Sequence, residues 1–175
     1  MDTMRCETAS EAFRLSYGES GVGIFLVALS DRGLTAILLG DDRRRLLREL
    51  ELAFPGVLLI EDGAACADAV AKVAELLDAP RRGVALPLDM RGSAFECAVW
   101  TALRAIPPGE TRSYGAVAKS LAIPATAQEV GAACAANVLA VAVPCHRVVK
   151  ADGSISGYRW GVHRKRRLMH MENVA

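Results

Sequence analysis

The stretch VLAVAVPCHR, residues 138–147, is the part of the chain around which the rest is organised. Its first six residues, 138–143, form an apolar run that is long enough to make a buried extended segment. Pro144 ends this run, because proline has no N–H for ladder hydrogen bonding and fixes its own φ angle. Cys145 and His146 follow immediately. The sequence therefore predicts a turn that presents a cysteine and a histidine at the end of a buried segment.

Cys145 is a candidate nucleophile. A thiolate is the strongest side-chain nucleophile, and a nearby histidine lowers the pKa of a thiol. The alternative is a buried structural cysteine beside an exposed histidine, and the four residues PCHR alone leave that alternative open.

The charge of the chain is divided unevenly between its two halves, although the net charge is only +1. Residues 1–80 hold 8 Lys/Arg against 14 Asp/Glu, a net −6, whereas residues 81–175 hold 13 against 6, a net +7. A basic second half suggests that this half contacts a polyanion, the alternative being an ordinary solvated surface.

The five cysteines are scattered and odd in number, which argues against a disulfide framework and favours a reducing cytoplasm. No Cys-x-x-Cys pair occurs and all three histidines lie at or after His146, so we expect no metal site. The N-terminal segment Met1–Arg14 lacks a continuous apolar stretch and predicts no secretory signal. No apolar run is long enough to predict a membrane-spanning helix.

Residues 1–80 predict a small sheet with two helices and carry no catalytic constellation. Alternation of apolar residues between turn signals predicts strands at 12–17, 22–30, 34–39 and 57–60, the first three forming an antiparallel meander. Asp41 or Asp42 is a candidate cap for a helix that ends near Phe54. A second helix is predicted at 64–77, with Val70, Val73 and Leu77 directed inward.

Proline and glycine recur in residues 79–92, which predicts an irregular connection. We expect the domain boundary here, between residues 1–84 and 85–175. Beyond it, capping residues and apolar periodicity predict four helices, at 94–106, 114–121, 126–136 and 161–171. The second and third of these, joined by a short turn, have the form of a helix-turn-helix.

We call the helix at 126–136 the bare helix, since alanine and glycine, whose side chains are no larger than a methyl group, occupy most of its positions. Base reading in the major groove requires polar side chains, and this helix has few. Small residues instead let a backbone approach another surface closely. The alternative is a tightly packed core helix.

Four segments together resemble the O6-alkylguanine-DNA alkyltransferase family, in particular its Ada-type members. They are Asn137, PCHRVV at 144–149, GYRWG at 157–161 and the segment 165–172. The resemblance is specific over residues 91–173 and weaker over the remainder. It implies an α/β (α+β) fold, in which a small ribonuclease-H-like roll precedes a mostly helical domain with a helix-turn-helix. It also implies a monomer that needs no cofactor and acts in the cytoplasm.

The same resemblance implies an activity. A methyl or other small alkyl group moves once from the O6 atom of guanine in double-stranded DNA to Cys145. The bare helix lies in the minor groove and supports flipping of the damaged base. His146 holds the thiolate through a water and lowers its pKa, while Glu172 orients His146. Asn137 ties the helix end to the active-site segment. Without the family, Glu172 reads as a solvated carboxylate and Asn137 as a helix C-cap.

The guanine pocket implied by the family falls on four further positions. The hydroxyl of Tyr114 donates to a ring nitrogen, and the carbonyls of Cys145 and Val148 accept from the exocyclic amine. Tyr158 walls the pocket, and the amide of Arg159 donates to O6. DNA contacts are expected at Tyr114, Gly115, Ala127, Gln128, Gly131 and Ala151.

Basic residues of the second half have other interpretations. The run at 164–167 on the last helix is read as facing phosphate or as a solvated surface. Arg147 is read as a structural ion-pair partner.

The sequence departs from the family at Gln128, where an arginine usually fills the gap left by the flipped base. Glu129 follows where the family prefers alanine, and a carboxylate near phosphate is repelled. These two residues put the strength of duplex binding in doubt without affecting Cys145.

Two other functions remain open at this stage. One is a Cys-His thiol transferase that turns over on a small molecule. The other is a non-catalytic DNA-binding sensor of alkylation, whose function would survive loss of Cys145.

Overall fold

A computed structural model of the protein describes residues 10–173. Its first part is a four-stranded sheet made of β1 (Ala12–Ser20), β2 (Gly23–Ser30), β3 (Gly33–Gly40) and β4 (Leu58–Glu61). The spatial order is β3-β2-β1-β4; β1, β2 and β3 are antiparallel, and β4 runs parallel to β1. The predicted meander and fourth strand are therefore present, each within a few residues of its predicted bounds.

A glycine is required where β3 begins. Gly33 has φ +144°, and a Cβ built on it would lie 2.3 Å from the carbonyl oxygen of Pro87. This close approach lets the amide of Leu34 donate to that same oxygen at 2.9 Å. The connection between the two halves of the chain is thereby attached to the edge of the sheet.

Two helices pack against the sheet, α1 (Arg43–Ala53) and α2 (Gly63–Asp78). Asp42 and Asp62 cap them, each accepting from a backbone amide three residues on. The buried face of α2 consists of Cys66, Ala69, Val73, Leu76 and Leu77. Val73 and Leu77 are buried as predicted, and Val70 is half-buried and packs against the same core.

The second half contains four helices: α3 (Ala94–Arg104), α4 (Tyr114–Ser120), α5 (Ala127–Ala136) and α6 (Val162–Met171). Ser93 and Ser113 cap the starts of α3 and α4, as the sequence predicts, and Thr126, predicted as the first residue of the next helix, is the cap of α5. Helices α3, α4 and α5 pack against one another.

The apolar run 138–143 is buried but is not a regular strand. The amide of Ile37 donates to Val138 at 2.8 Å, and the amide of Ala140 donates to Ile37 at 3.0 Å, so the run pairs with β3 only locally. Val141 then takes φ +67°, which turns the chain away from an extended path. One continuous apolar core extends from the sheet into the second half through this contact.

A short strand pair that the sequence did not predict brings the start of α4 to the active-site segment. β5 (Arg112–Ser113) runs parallel to β6 (Val148–Val149), which directly follows the turn containing Cys145. Because α4 begins at Tyr114, this pairing places Tyr114 beside that turn.

Within residues 10–173, no helix is long and apolar enough to cross a membrane. The same residues contain no group of three or more His, Cys, Asp or Glu arranged to hold a metal ion. Residues 1–9 lie outside the described part of the chain. They include Cys6 and most of the N-terminal segment for which no secretory signal is predicted.

Candidate active site

Cys145 opens a 3-10 turn, Cys145–Arg147, immediately after Pro144. Its side chain is buried, with 4% of the residue exposed. Asn137, at the C-cap of α5, donates from Nδ2 to the sulfur at 3.4 Å and to the carbonyl of Val143 at 3.1 Å. Its Oδ1 accepts from the amide of Leu139 at 2.8 Å. The amide of Asn137 thus joins the end of α5 to both sides of the turn.

Behind the turn, His146 and Arg147 share a buried carboxylate. Nε2 of His146 lies 2.9 Å from Oε1 of Glu172. Arg147 donates to Glu172 from Nη2 at 2.7 Å and from Nε at 3.0 Å, and to the carbonyl of Ile106 at 2.7 Å. Glu172 has no exposed surface, so it is a buried ion-pair partner and not a solvated helix-end carboxylate. Arg147 occupies the structural role expected of it.

The protonation of this group follows from its contacts. Burial opposes ionisation of Glu172, but hydrogen bonds from His146 and Arg147 lower its pKa to about 2. Burial lowers the pKa of His146 despite the carboxylate, which favours the neutral imidazole. A carboxylate only accepts, which places the ring proton on Nε2 and leaves Nδ1 as an acceptor. Nδ1 is buried and has no hydrogen-bond partner among the described residues.

The expectation of a lowered pKa for Cys145 is wrong for this structure. Burial raises the pKa of the thiol, and the Asn137 amide and the positive charges of Lys165 and Arg159 offset only part of that effect. Among the described hydrogen bonds, His146 makes none to the sulfur. Adjacent residues on a tight turn point in different directions, so sequence adjacency did not produce direct contact.

The sulfur of Cys145 opens onto a cavity of about 390 Å³. The lining residues come from α4, α5, the turn and the loop before α6: Tyr114, Gly131, Cys134, Ala135, Cys145, Ser156, Gly157, Tyr158 and Arg159. The hydroxyl of Tyr114 lies 2.5 Å from Oγ of Ser156. The structure thus brings Tyr114, Tyr158 and Arg159 together around the sulfur.

Val148 is the predicted pocket residue that does not line this cavity. Its carbonyl accepts from Nζ of Lys165 at 2.6 Å. A carbonyl oxygen has two lone pairs, so one remains after this contact.

The residues expected to touch DNA differ in their exposure. Ala127, Gln128 and Ala151 are exposed, and nothing lies within 4 Å of a Cβ built on Gly115. Gly131 lines the cavity, where it faces the ring of Tyr114.

The structure gives Glu129 a local contact and corrects the interpretation of the basic run. Glu129 accepts from the amide of Thr126 at 2.8 Å and so closes a capping box at the start of α5. The basic run is divided, because Arg164 and Lys165 are buried whereas Arg166 and Arg167 are exposed. Packing of α6 against the rest of the protein decides which of its faces is solvated.

Sequence reasoning missed several residues of the site. Ser156 and Cys134 line the cavity, Lys165 holds the carbonyl of Val148, and Glu49 pairs with Arg159 at 2.8 Å. No spacing of residues in the sequence predicted these contacts, since they join elements that lie far apart in the chain.

A cysteine thus lines a cavity beside α5, a helix of mainly small residues that is exposed on one face. Residues 94–174 match the family described as 6-O-methylguanine DNA methyltransferase, DNA binding domain. The Bifunctional transcriptional activator/DNA repair enzyme Ada of Escherichia coli is 45% identical over 92% of this chain and 46% of its own length. The chain therefore spans about half the length of the Ada proteins it matches.

Two further comparisons cover most of both chains. The inducible methylated-DNA–protein-cysteine methyltransferase of Bacillus subtilis is 36% identical over 86% of this chain and 85% of its own length. The crystal structure of Mycobacterium tuberculosis OGT in complex with DNA superposes with a TM-score of 0.73 at 33% identity, covering 93% of this chain and 92% of that one. The chain belongs to the methylated-DNA–protein-cysteine methyltransferase family.

Proposed function

We propose that this protein repairs O6-alkylguanine in DNA by moving the alkyl group to Cys145, once per molecule. The observation that carries this proposal is the position of the sulfur at the base of a cavity walled by Tyr114 and Tyr158. Asn137 contacts the sulfur from one side, and the His146–Glu172 pair lies behind it.

The proposed reaction is an in-line displacement at a saturated carbon. The thiol proton of Cys145 passes to Nδ1 of His146 through one water, and the sulfur forms a bond to the alkyl carbon as the bond from carbon to O6 breaks. The electron pair remains on the guanine, which gains a proton at a ring nitrogen. Tyr114 donates there, and the proton held by His146 restores the balance through solvent. The thioether is stable, so the protein is consumed.

The raised pKa of Cys145 fits a thiol that ionises only as it reacts. A neutral His146 is able to take the proton, and Glu172 stabilises the imidazolium that results. The amide of Arg159 donates to O6 as negative charge develops, while the carbonyls of Cys145 and Val148 accept from the exocyclic amine.

We further propose that α4 and α5 form the helix-turn-helix that contacts the minor groove. Tyr114, Gly115, Ala127, Gln128, Gly131 and Ala151 contact the duplex, and Gln128 enters the stack in place of the flipped base. The exposure of the bare face of α5 supports this arrangement.

Residues 1–84 are proposed to be a ribonuclease-H-like scaffold and residues 85–175 the alkyltransferase domain. The sheet order β3-β2-β1-β4, with β4 parallel to β1, supports the first assignment. The location of Cys145, His146 and Glu172 in the second half supports the other. We propose that the protein acts as a monomer in the cytoplasm.

A single-turnover reaction with methylated duplex DNA tests this function. The intact mass is expected to rise by one methyl group, and peptide mapping is expected to place it on Cys145. Cys134→Ser is the matched control, since Cys134 lines the same cavity and should leave the product unchanged. Turnover beyond one equivalent would identify a thiol transferase, and duplex binding without any mass change would identify a sensor.

A further inference from the structure

The side chain of Arg159 is a wall of the cavity that both halves of the protein hold in place. Its Nε donates to Oε1 of Glu49 on α1 at 2.8 Å, and its Nη1 donates to the carbonyl of Ala135 on α5 at 2.8 Å. The side chains of Arg159 and Glu49 are 26% and 28% exposed, so salt screens this ion pair only in part.

The loop before α6, residues 150–161, lines the cavity, and Tyr158 and Trp160 pack it against the core. Its backbone hydrogen bonds at Gly153 and Gly161 close turns within the loop itself. Ser156, through Tyr114, and Arg159 provide the described side-chain contacts between the loop and α1, α4 or α5. Gly157, between them, has open space around it. The side chain of Arg159 therefore ties this wall of the cavity to α1 and α5 by hydrogen bonds.

A second cleft of about 230 Å³ lies on the other side of the same side chain. Asp41, Asp42, Arg45 and Glu49 line it, and Arg159 lines both this cleft and the cavity that contains Cys145. Displacement of Arg159 would join the two spaces. An adduct larger than methyl would then extend from the sulfur toward α1.

We propose that Glu49 is a positioning residue that sets the size of the O6 adduct the cavity accepts. This inference rests on the proposed function. With the ion pair intact, Arg159 narrows the cavity to a size that accepts a methyl group and excludes bulkier adducts. Loss of the ion pair frees the guanidinium, widens the cavity and favours bulky adducts.

Free O6-methylguanine and O6-benzylguanine test this inference without the phosphates of DNA. In Glu49→Gln the rate ratio of benzyl to methyl transfer is expected to rise about fivefold, the effect of losing a partly screened ion pair. Glu51→Gln is the matched control, because Glu51 is exposed on the same helix and makes no described ion pair; its ratio should equal that of the wild type.

Salt provides a second readout that a merely structural role would not change. The wild-type ratio is expected to rise with ionic strength toward that of Glu49→Gln, whose own ratio should stay constant. Equal ratios in all three proteins, or a rise in Glu51→Gln as well, would overturn the inference. If Glu49→Gln does not fold, a wild-type benzyl-to-methyl rate ratio that is independent of salt would also overturn the inference. If neither base alkylates wild-type Cys145, that result would instead contradict the proposed function.

Discussion

The two sides of Cys145 differ in how their residues are held. Behind the sulfur, His146, Arg147 and Glu172 are almost completely buried and joined by short hydrogen bonds. In front of it, exposed residues of α5 and of the loop before α6 meet solvent, and the side chains of Ser156 and Arg159 join the loop to the helices by hydrogen bonds. The first side tolerates little change because its charges have no access to water, whereas the second side can vary and thereby alter recognition.

This difference predicts that changes behind the sulfur affect stability and chemistry together. Changes in front of it should affect recognition while leaving reaction with a free base almost unaltered. Comparison of duplex DNA with a free modified base therefore separates the two sides.

Glu172→Gln should have the largest effect, since it leaves Arg147 buried without its counter-charge. We expect the free energy of unfolding to fall by about 3 kcal/mol, measured by urea denaturation at pH 7. Glu110→Gln, an exposed change, is the control. An equally small loss in both variants would show that the buried pair contributes little.

The same carboxylate predicts a pH dependence of stability. Its folded pKa of about 2 lies below the ordinary value of 4.5. A depressed pKa stabilises the fold fully above 4.5 and progressively less as the pH falls toward 2. Denaturation across this interval should therefore show a steeper loss in the wild type than in Glu172→Gln; parallel curves would contradict the assignment.

Asn137→Ala tests the side-chain amide that joins the end of α5 to the turn containing Cys145. The substitution removes the donor to Cys145 and leaves the buried amide of Leu139 without its acceptor. We expect a loss of about 2 kcal/mol of stability, with slower transfer from both duplex and free base. Asn137→Asp keeps the acceptor and should recover part of the stability but not the rate; recovery of neither would show that the amide oxygen is unimportant.

Lys165→Met tests whether the positive charge of Lys165 lowers the pKa of the Cys145 thiol. The buried ammonium lowers the pKa of Cys145, so its removal should raise that pKa further. The rate of reaction with free base should then require higher pH, as measured by a pH–rate profile. Arg166→Met, an exposed neighbour, should leave the profile unchanged. Identical profiles for wild type and Lys165→Met would exclude this electrostatic role.

Gln128→Arg should have the smallest effect and should act only in front of the sulfur. A charged, planar side chain fills the gap left by a flipped base better than a neutral amide. We expect a few-fold faster transfer from duplex, weaker at high salt, and no change with free base. An unchanged ratio of duplex to free-base rates would show that Gln128 does not occupy this gap.

Glu129→Ala will not add to that gain, because Glu129 closes the cap of α5. Its removal should cost about 1 kcal/mol of stability. A faster duplex reaction without loss of stability would support repulsion between Glu129 and phosphate instead.

The sequence by itself determined what local chemistry can specify. Gly33, Asp42, Ser113 and Thr126 act through their own backbone positions, so turns and helix starts were predictable from residue type. The motif around Cys145, with its family resemblance, singled out Cys145, His146 and Glu172 as the candidate nucleophile, imidazole and carboxylate.

Only the tertiary structure decided what depends on distant elements meeting. It set the burial that raises the pKa of Cys145, the solvated face of α6 and the parallel pairing that brings Tyr114 to the site. It also brought Glu49 to Arg159 across 110 positions of the chain. No periodicity within a segment encodes such contacts, because each is fixed by the packing of one half of the protein against the other.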